Sequence, residues 1–530
     1  MDSDRPNRPS VPPPPGLTLA ELARELHGEV SVHGDQTVRL LGVHHDSRRV
    51  GPSDLFVVRR GESSDGARFL ADAEARGAVA VCAARGEVDP SATKLPIIWV
   101  ENTRIALAQA AAAVYGHPSF ALDVVGVTGT NGKTTTTHLV RQGIDTLLGA
   151  PRCGVIGTVG HALGDEILEA SHTTPEADEL ARLMVAMKKK GASHVAMEVS
   201  SIAIALERVR AVRFRVAAFT NLTQDHLDFH GSMEAYGAAK ARLFHEMAPG
   251  HAVINVADPF GRVIAEALQG KLDYAAYTVS TEPEIPAAFR VVSADLGSGG
   301  ISASVETPEG VIALRSRLVG AHNLQNLLVV LAIGHALELP VRAFAEALAD
   351  AVSAPGRMER CDGPGDDVAV LVDYAHTPDA LERVLASLAG ATSGRVICVF
   401  GCGGDRDPTK RAPMGAAAAE GSHVAILTSD NPRTEDPAHI AQAVLVGMIG
   451  AGSPLATWDE IEAGAKGHHV ELDRAKAIER AILAARPGDV VLLAGKGHEP
   501  YQIVGTEKRA FDDREVARAV LATRRARGAR

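Results

Sequence analysis

Val125-Gly-Val-Thr-Gly-Thr-Asn-Gly-Lys-Thr-Thr135 reads as a strand that runs into a glycine-rich turn and then into the start of a helix. Residues 123–128 are rich in β-branched side chains, and residues 133–148 carry a helical pattern. The turn between them therefore offers backbone N–H groups at a helix N-terminus, where anions are held. Gly129 and Gly132 allow the turn, Lys133 can reach the β and γ oxygens of a triphosphate, and a hydroxyl of Thr134 or Thr135 can ligate magnesium. Position 127 is valine, so the loop is a short Gly129-Thr130-Asn131-Gly132-Lys133-Thr134-Thr135 form of a phosphate cradle.

Outward from this loop, β-type runs end at Glu198 (194–197) and at Asn221 (216–220), with helical stretches between them. That alternation predicts an α/β unit with a parallel sheet, whose ligands bind at the carboxyl ends of the strands. Farther on, strands are expected at 368–372, 395–400, 424–428 and 490–494, alternating with helical runs such as 379–388 and 473–485. Before the loop, Thr18 caps a helical run at 19–26, and strand-like pieces follow at 55–58 and 78–82. The expected organisation is a proline-rich, disordered tail (1–15), an N-terminal domain (16–122), a central domain (123–352) and a C-terminal domain (353–530).

The whole-chain numbers agree. A chain of 530 residues with 46% apolar content supports about three or four cored domains. With 54 basic against 65 acidic residues and only 4% aromatics, a general nucleic-acid surface is excluded. The five cysteines form no CxxC pair, which argues against a disulfide framework or zinc knuckle and fits a reducing cytoplasm. The longest apolar run, 327–339, is broken by His335 and Glu338, so the chain is expected to be soluble, without membrane insertion.

Polar clusters sit where strands end. Glu198 closes an apolar strand, and beside a phosphate loop it becomes a candidate magnesium ligand. Asn221 to Gly231 packs His226, His230, Asp225 and Asp228, which leaves open a metal site or a polar capping loop. Lys240, within a helical run at 233–247, is expected by default on a solvated face. In the last domain, loops at 372–378, 401–407, 429–433 and 494–499 could converge on one sheet rim. Arg406 and Arg433 offer planar forks for a carboxylate or phosphate, while Asp430 and Glu499 can hold ammonium groups. This reads as a zwitterion pocket.

With these motifs together, the sequence resembles the Mur ligase family over nearly its whole length after the tail. The resemblance implies three domains, a central P-loop parallel sheet and a Rossmann-like C-terminal domain. It implies an ATP-dependent amide ligase that uses magnesium, with a UDP-linked muramoyl dipeptide and meso-diaminopimelate as partners, acting as a cytoplasmic monomer in peptidoglycan precursor synthesis. By resemblance, Gly129 to Thr135 hold ATP, Thr134, Glu198 and His226 place the metal, and Lys240 is carbamylated and joins them. Asn323 and Asn326 match an adenine-contacting segment, and Arg357, Asp373 and His376 match positions near the nucleotide. His45, Ser47, Glu62, Ser63, Ser64, His172, Thr173, Thr174, Ser200 and Arg208 match the uridine-linked substrate site. Arg406, Asp430, Asn431, Pro432, Arg433, Gly495 and Glu499 match the amino-acid site, where the arginine of Asp430-Asn-Pro-Arg433 is the form associated with diaminopimelate.

The expected chemistry is transfer of the γ-phosphoryl of ATP to a D-glutamyl carboxylate, followed by attack of an amine on the acyl phosphate. The alternatives are the same ligation with L-lysine or another amino acid, a P-loop phosphotransferase acting on a hydroxyl, and a nucleotide-binding scaffold without catalysis.

Overall fold

The computed structural model describes residues 16–59, 66–164, 166–168, 170, 172–247, 249–270, 275–297, 299–363 and 365–528. The expected tail (1–15) and the segment Glu62-Ser63-Ser64 lie outside the described residues. The chain divides into two compact units, Met1–Arg290 with Thr307–Glu309 and Leu328–Ala347, and Val291–Glu306 with Gly310–Leu327 and Leu348–Arg530.

The first unit opens with helix Leu19–Glu25, entered through Thr18. The Thr18 hydroxyl accepts from Glu21 N while the Glu21 carboxylate accepts from Thr18 N, a reciprocal capping box. Strands Gly42–His44, Asp54–Val57, Ala78–Ala84 and Ile97–Val100 pair in parallel, and Ser31–His33 closes one edge antiparallel. Helix Thr103–Val114 packs an almost all-alanine face against them, so little side-chain entropy is lost at this contact.

A second sheet of this unit is built around Asp123–Thr128. Its parallel neighbours are His194–Glu198 on one side and Val216–Phe219 on the other. Cys153–Gly157 extends the first side, and His251–Asn255 and Ala275–Ser280 extend the second, all parallel. These strands are buried on both faces, as expected where helices cover both faces of a parallel sheet. Asp123–Thr128 and helix Lys133–Leu148 match the bounds expected from sequence. Because the central strands are parallel, the turns after Thr128, Glu198 and Phe219 leave the sheet at the same edge.

The second unit carries a sheet ordered Glu359–Arg360, Ala369–Asp373, Val490–Ala494, Val396–Phe400, Val424–Leu427, Gly467–Val470. The pairs are parallel except the first. Helices Pro378–Ala391, Arg411–Gly421 and Pro437–Gly450 cover one face, and Arg474–Ala484 and Asp513–Gly528 the other. The last crossover is pinned by a fully buried ion pair, Arg474 Nη2 to Asp513 Oδ2 at 2.6 Å, with the same guanidinium donating to the Ala494 carbonyl. Among the described residues no helix is long and apolar enough to cross a membrane. The apolar run beginning at Leu327 is mostly interior of helix Ala321–Ala336.

Candidate active site

The glycine-rich loop at 129–135 is stitched to the turn after the neighbouring strand. Thr130 N donates to Asn221 O (2.8 Å), Asn131 N to Asn221 Oδ1 (2.9 Å), and the Thr220 hydroxyl to Asn131 O (2.6 Å). Thr223 N donates to the Thr130 hydroxyl, which in turn donates to Thr223 O. The polar run from Asn221 thus serves as the loop's scaffold. Gly129 has φ +148, and a Cβ there would lie 1.9 Å from Thr220 Oγ1, so only glycine fits.

Two lysine side chains meet at this loop. Lys133 Nζ donates to Gly129 O (2.9 Å) and Thr130 O (2.7 Å), and Lys240 Nζ donates to Gly129 O (2.8 Å). Lys240 is 1% exposed, which corrects the expected solvated face. Its helix, Met233–His245, turns that side chain inward under the Tyr236 ring, with Nζ 4.4 Å from the ring centroid. Burial and the neighbouring Lys133 charge hold the Lys240 amine well below the ordinary lysine range, against a smaller opposite influence of Asp225. Such a site favours an incoming polyanion.

Glu198 is also buried (1%) and bound on both oxygens. Oε1 accepts from Thr158 N (2.8 Å), and Oε2 accepts from the Thr134 hydroxyl (3.0 Å) and the Thr158 hydroxyl (3.3 Å). The pair Thr134 and Glu198 fits a hard cation that takes few protein oxygens and completes its shell with water and phosphate oxygens. Among the described residues no three His, Cys, Asp or Glu side chains form a ready-made metal cluster. His226, at φ +51, sits edge-on to Tyr236, and the Tyr236 hydroxyl lies 3.2 Å from Thr130 Oγ1. That ring links His226 to the phosphate loop.

On the far side of Glu198 the structure gathers most of the residues expected at the uridine-linked substrate. Thr173 Oγ1 lies 3.0 Å from Thr158 Oγ1, the Thr174 hydroxyl donates to Glu198 O (2.8 Å), Ser200 N donates to Thr174 Oγ1 (3.1 Å), and Arg208 Nη1 donates to Thr174 O (3.0 Å). His172 precedes them in the chain, its imidazole held below the usual range by burial and by Arg208. Ser47 is buried at the start of a short 3₁₀ turn. Sequence reasoning missed Glu176 and Asp178. Glu176 bridges Arg59 (2.5 Å) and Arg208 (2.8 Å). Fully buried Asp178 accepts from His45 Nδ1 (2.9 Å) and lies 3.3 Å from Arg182. Burial alone raises the Asp178 carboxyl, but the His45 hydrogen bond and the Arg182 charge outweigh it and hold the group well below the carboxylate range. Their only sequence signal is acidity at a helix start, which ordinarily means a cap.

In the second unit, Asn323 Nδ2 donates to Val319 O (2.8 Å) and Asn326 Nδ2 to Asn323 Oδ1 (3.3 Å), both residues buried. Buried Asp373 accepts from Met358 N and Ala375 N (2.8 Å each). Burial raises its carboxyl, and the Arg357 charge acts against that rise. The Arg357 guanidinium lies 4.8 Å from the Tyr374 ring centroid, and His376 packs on the same ring.

Three of the expected loops converge beside that group. Arg433 Nη1 donates to Gly404 O (2.7 Å), and a Cβ on Gly403 would stand 3.0 Å from Arg433 Nη1 and 3.9 Å from the Arg406 side chain. Both guanidinium residues therefore flank one backbone segment. Arg433 has φ +51, a left-handed conformation held by Arg433 N to Ile503 O (3.1 Å) and Gly505 N to Arg433 O (2.7 Å), both from the hairpin Tyr501–Val504/Glu507–Ala510. Pro432 lies buried between Asn431 and Arg433, and Asn431 Nδ2 donates to Glu499 Oε2 (2.9 Å). Gly495 passes over Asp430, where a Cβ would stand 2.8 Å from Oδ2.

Comparison with known proteins gives consistent matches along the chain. Residues 39–115 match the Mur ligase family catalytic domain, 127–334 the Mur ligase middle domain and 356–497 the Mur ligase glutamate ligase domain. A UDP-N-acetylmuramoyl-L-alanyl-D-glutamate–2,6-diaminopimelate ligase of Geobacter metallireducens is 43% identical over 95% of this chain and 98% of its own. The protein of that name from Streptomyces coelicolor is 41% identical over 97% and 98%. A solved structure bearing that ligase name superposes with a TM-score of 0.69 at 30% identity, covering 96% of this chain and 99% of the other.

Proposed function

The chain belongs to the Mur ligase family, and from that premise we propose that it is an ATP-dependent, ADP-forming ligase that joins meso-diaminopimelate to UDP-N-acetylmuramoyl-L-alanyl-D-glutamate in peptidoglycan precursor synthesis. The observation that carries this reading is identity of 41–45% with the first eight curated relatives, all named for that reaction. The placement of Arg433 supports the amino-acid choice. The far carboxylate of diaminopimelate, absent from lysine, suits a guanidinium fork.

The γ-phosphoryl group passes from ATP to the D-glutamyl side-chain carboxylate. The bond to the β-phosphate oxygen breaks, ADP leaves, and an acyl phosphate forms. The neutral amine of diaminopimelate then attacks the acyl carbon, phosphate departs, and the amine proton is lost as the amide forms. Lys133 leaves the Gly129 and Thr130 carbonyls for the phosphate oxygens, and the loop N–H groups orient the triphosphate. Such electrostatic positioning is where most catalysis of phosphoryl transfer resides. Magnesium, held by Thr134 and Glu198 with His226 and a carbamylated Lys240, supplies charge neutralisation when bound. The Lys240 amine is suited to carbamylation, because only a neutral amine attacks carbon dioxide and its environment disfavours the ammonium form. Asn323, Asn326, Arg357, Asp373 and His376 serve the nucleotide, and the cluster from His45 to Arg208 serves the uridine-linked substrate. The domains divide at residues 16–122, 123–352 and 353–530, and the protein works as a cytoplasmic monomer without membrane insertion.

A phosphate-release assay with the UDP-muramoyl dipeptide and a panel of amino acids tests this reading. Release that requires both the dipeptide and diaminopimelate, with little from lysine, is expected. Phosphate or ADP formed without an amino acid, or with a hydroxyl acceptor, overturns it.

A further inference from the structure

Lys496 is the second residue of Gly495-Lys-Gly-His-Glu499, and its sequence setting suggests only a flexible loop. Its side chain is 0% exposed. A buried ammonium is costly unless its surroundings compensate it. Here Nζ lies 3.2 Å from Asn431 Oδ1, 3.5 Å from Glu499 Oε2 and 3.7 Å from Asp430 Oδ1, with the Tyr501 ring centroid at 5.7 Å. Each of these three polar partners belongs to the amino-acid site described above. Asn431 is fixed at both ends of its amide, since Oδ1 also accepts from Ile503 N (2.9 Å) while Nδ2 donates to Glu499. Lys496 therefore sets which way the amide points and where Glu499 stands. Among the described residues Asp430 Oδ1 is buried without a hydrogen bond, and the Lys496 ammonium 3.7 Å away is a charge set against it.

We propose that Lys496 is a positioning residue of the amino-acid pocket, holding Asn431 and Glu499 in place and offsetting one of the two carboxylates so that the pocket receives a single substrate ammonium. The inference rests on the reading of this cluster as the diaminopimelate site. With Asp430 and Glu499 both ionised and no internal cation, the pocket would favour a doubly cationic ligand. With Lys496 between them the residual charge matches one ammonium, leaving the adjacent carboxylate of the ligand to Arg433. Burial pushes the Asp430 carboxyl up, and the charges of Arg474 and Lys496 oppose that rise. Loss of Lys496 thus also moves Asp430 toward its protonated form, which no longer accepts from an ammonium as an anion does.

The test measures KM for diaminopimelate, ATP and the dipeptide separately in the full-length enzyme carrying Lys496→Met. The expected result is a rise of about ten- to a hundredfold in KM for diaminopimelate, the fold-change of leaving a buried polar group unpaired. The other two KM values and kcat at saturating amino acid stay near wild type. Equal rises in all three KM values, or none, overturn the proposal. Arg433→Ala run alongside separates the two levels. If it too leaves KM for diaminopimelate unchanged, the site reading itself fails. Should Lys496→Met not fold, Lys496→Met combined with Glu499→Gln removes cation and anion together and is compared with Glu499→Gln alone. Because Lys496 acts through Glu499, the added effect should be smaller than tenfold, and a full independent loss contradicts the assignment.

Discussion

The loop proposed for the phosphates and the pocket proposed for the amino acid both hold buried lysines, but they balance them in opposite ways. At the loop 129–135, Lys133 and Lys240 share one carbonyl oxygen, Gly129 O, and burial together with the Lys133 charge disfavours the Lys240 ammonium, so the cluster lacks the anion that would balance two cations. In the pocket, Lys496 stands among Asp430, Asn431 and Glu499, so charge is nearly neutralised in advance. A triphosphate brings more charge than a loop can offset, and strong uncompensated attraction suits it. A zwitterion brings none overall, and only exact placement of opposite charges recognises it.

The sharpest way to break this contrast is Lys133→Ala. It should lower kcat by roughly 10²–10³ or more, the cost of removing one charged stabiliser from a transition state, measured as ADP release under saturating substrates. Full turnover would remove the loop from the chemistry. Next, Arg433→Ala should raise KM for diaminopimelate about a hundredfold, with KM for ATP unaffected, as expected when a charged hydrogen-bonding partner is truncated. Arg433→Lys should recover little, because a point charge cannot replace a planar fork. Both are read from steady-state kinetics with each substrate varied in turn.

Two further substitutions probe stability. Gly129→Ala forces a methyl to within 1.9 Å of Thr220 Oγ1 at φ +148. About 1–3 kcal/mol of destabilisation is expected in urea unfolding, and an unchanged midpoint would show that the cradle yields. The smallest effect is Lys240→Met. Gly129 O keeps its bond from Lys133, while the cost of a buried ammonium disappears, so the thermal midpoint at neutral pH should rise by about 2–4 °C. The sign follows from the shift: the folded-state amine titrates below the unfolded one, so unfolding takes up a proton between those values and wild-type stability rises with pH through that window. The advantage of the variant should accordingly shrink as pH approaches the ordinary lysine range. An advantage that grows with pH would contradict the burial argument.

The two regions also differ in how much of them could be read from residues alone. The phosphate loop is contiguous, so strand, turn, Lys133 and helix start are all visible in eleven consecutive letters, and the structure reproduces the strand and helix bounds. The placement of Glu198 beside Thr134 was legible because a carboxylate ends the strand next to the loop's own strand. Lys240 was not, since its helix has weak amphipathic patterning and burial of its Tyr236 and Lys240 face depends on Gly129 and Thr130, which meet it from a loop more than a hundred residues away. The proposed pocket is assembled from strand ends far apart in sequence, and the motifs pointed to Arg406, Asp430, Asn431, Arg433, Gly495 and Glu499, which the structure brings near one another, but not to Lys496. Glu176, Asp178 and Lys496 carry ordinary local signals, caps and a flexible loop, and acquire their roles only through partners as distant as Arg59, His45 and Asp430. The hairpin that fixes the Arg433 backbone likewise has no marker at Arg433 itself.

Gly356 lies so close to the peptide after Gly497 that a methyl there would come within 2.0 Å of His498 N. The Tyr374 ring meets both the Arg357 guanidinium and His498. The arginine proposed for the nucleotide and the loop proposed for the amine are thus jaws cast in one piece, unable to slide past one another. Any rearrangement that shifts the backbone at Gly356 must therefore shift the peptide at Gly497 and His498 with it, so these two proposed sites of the second unit travel together.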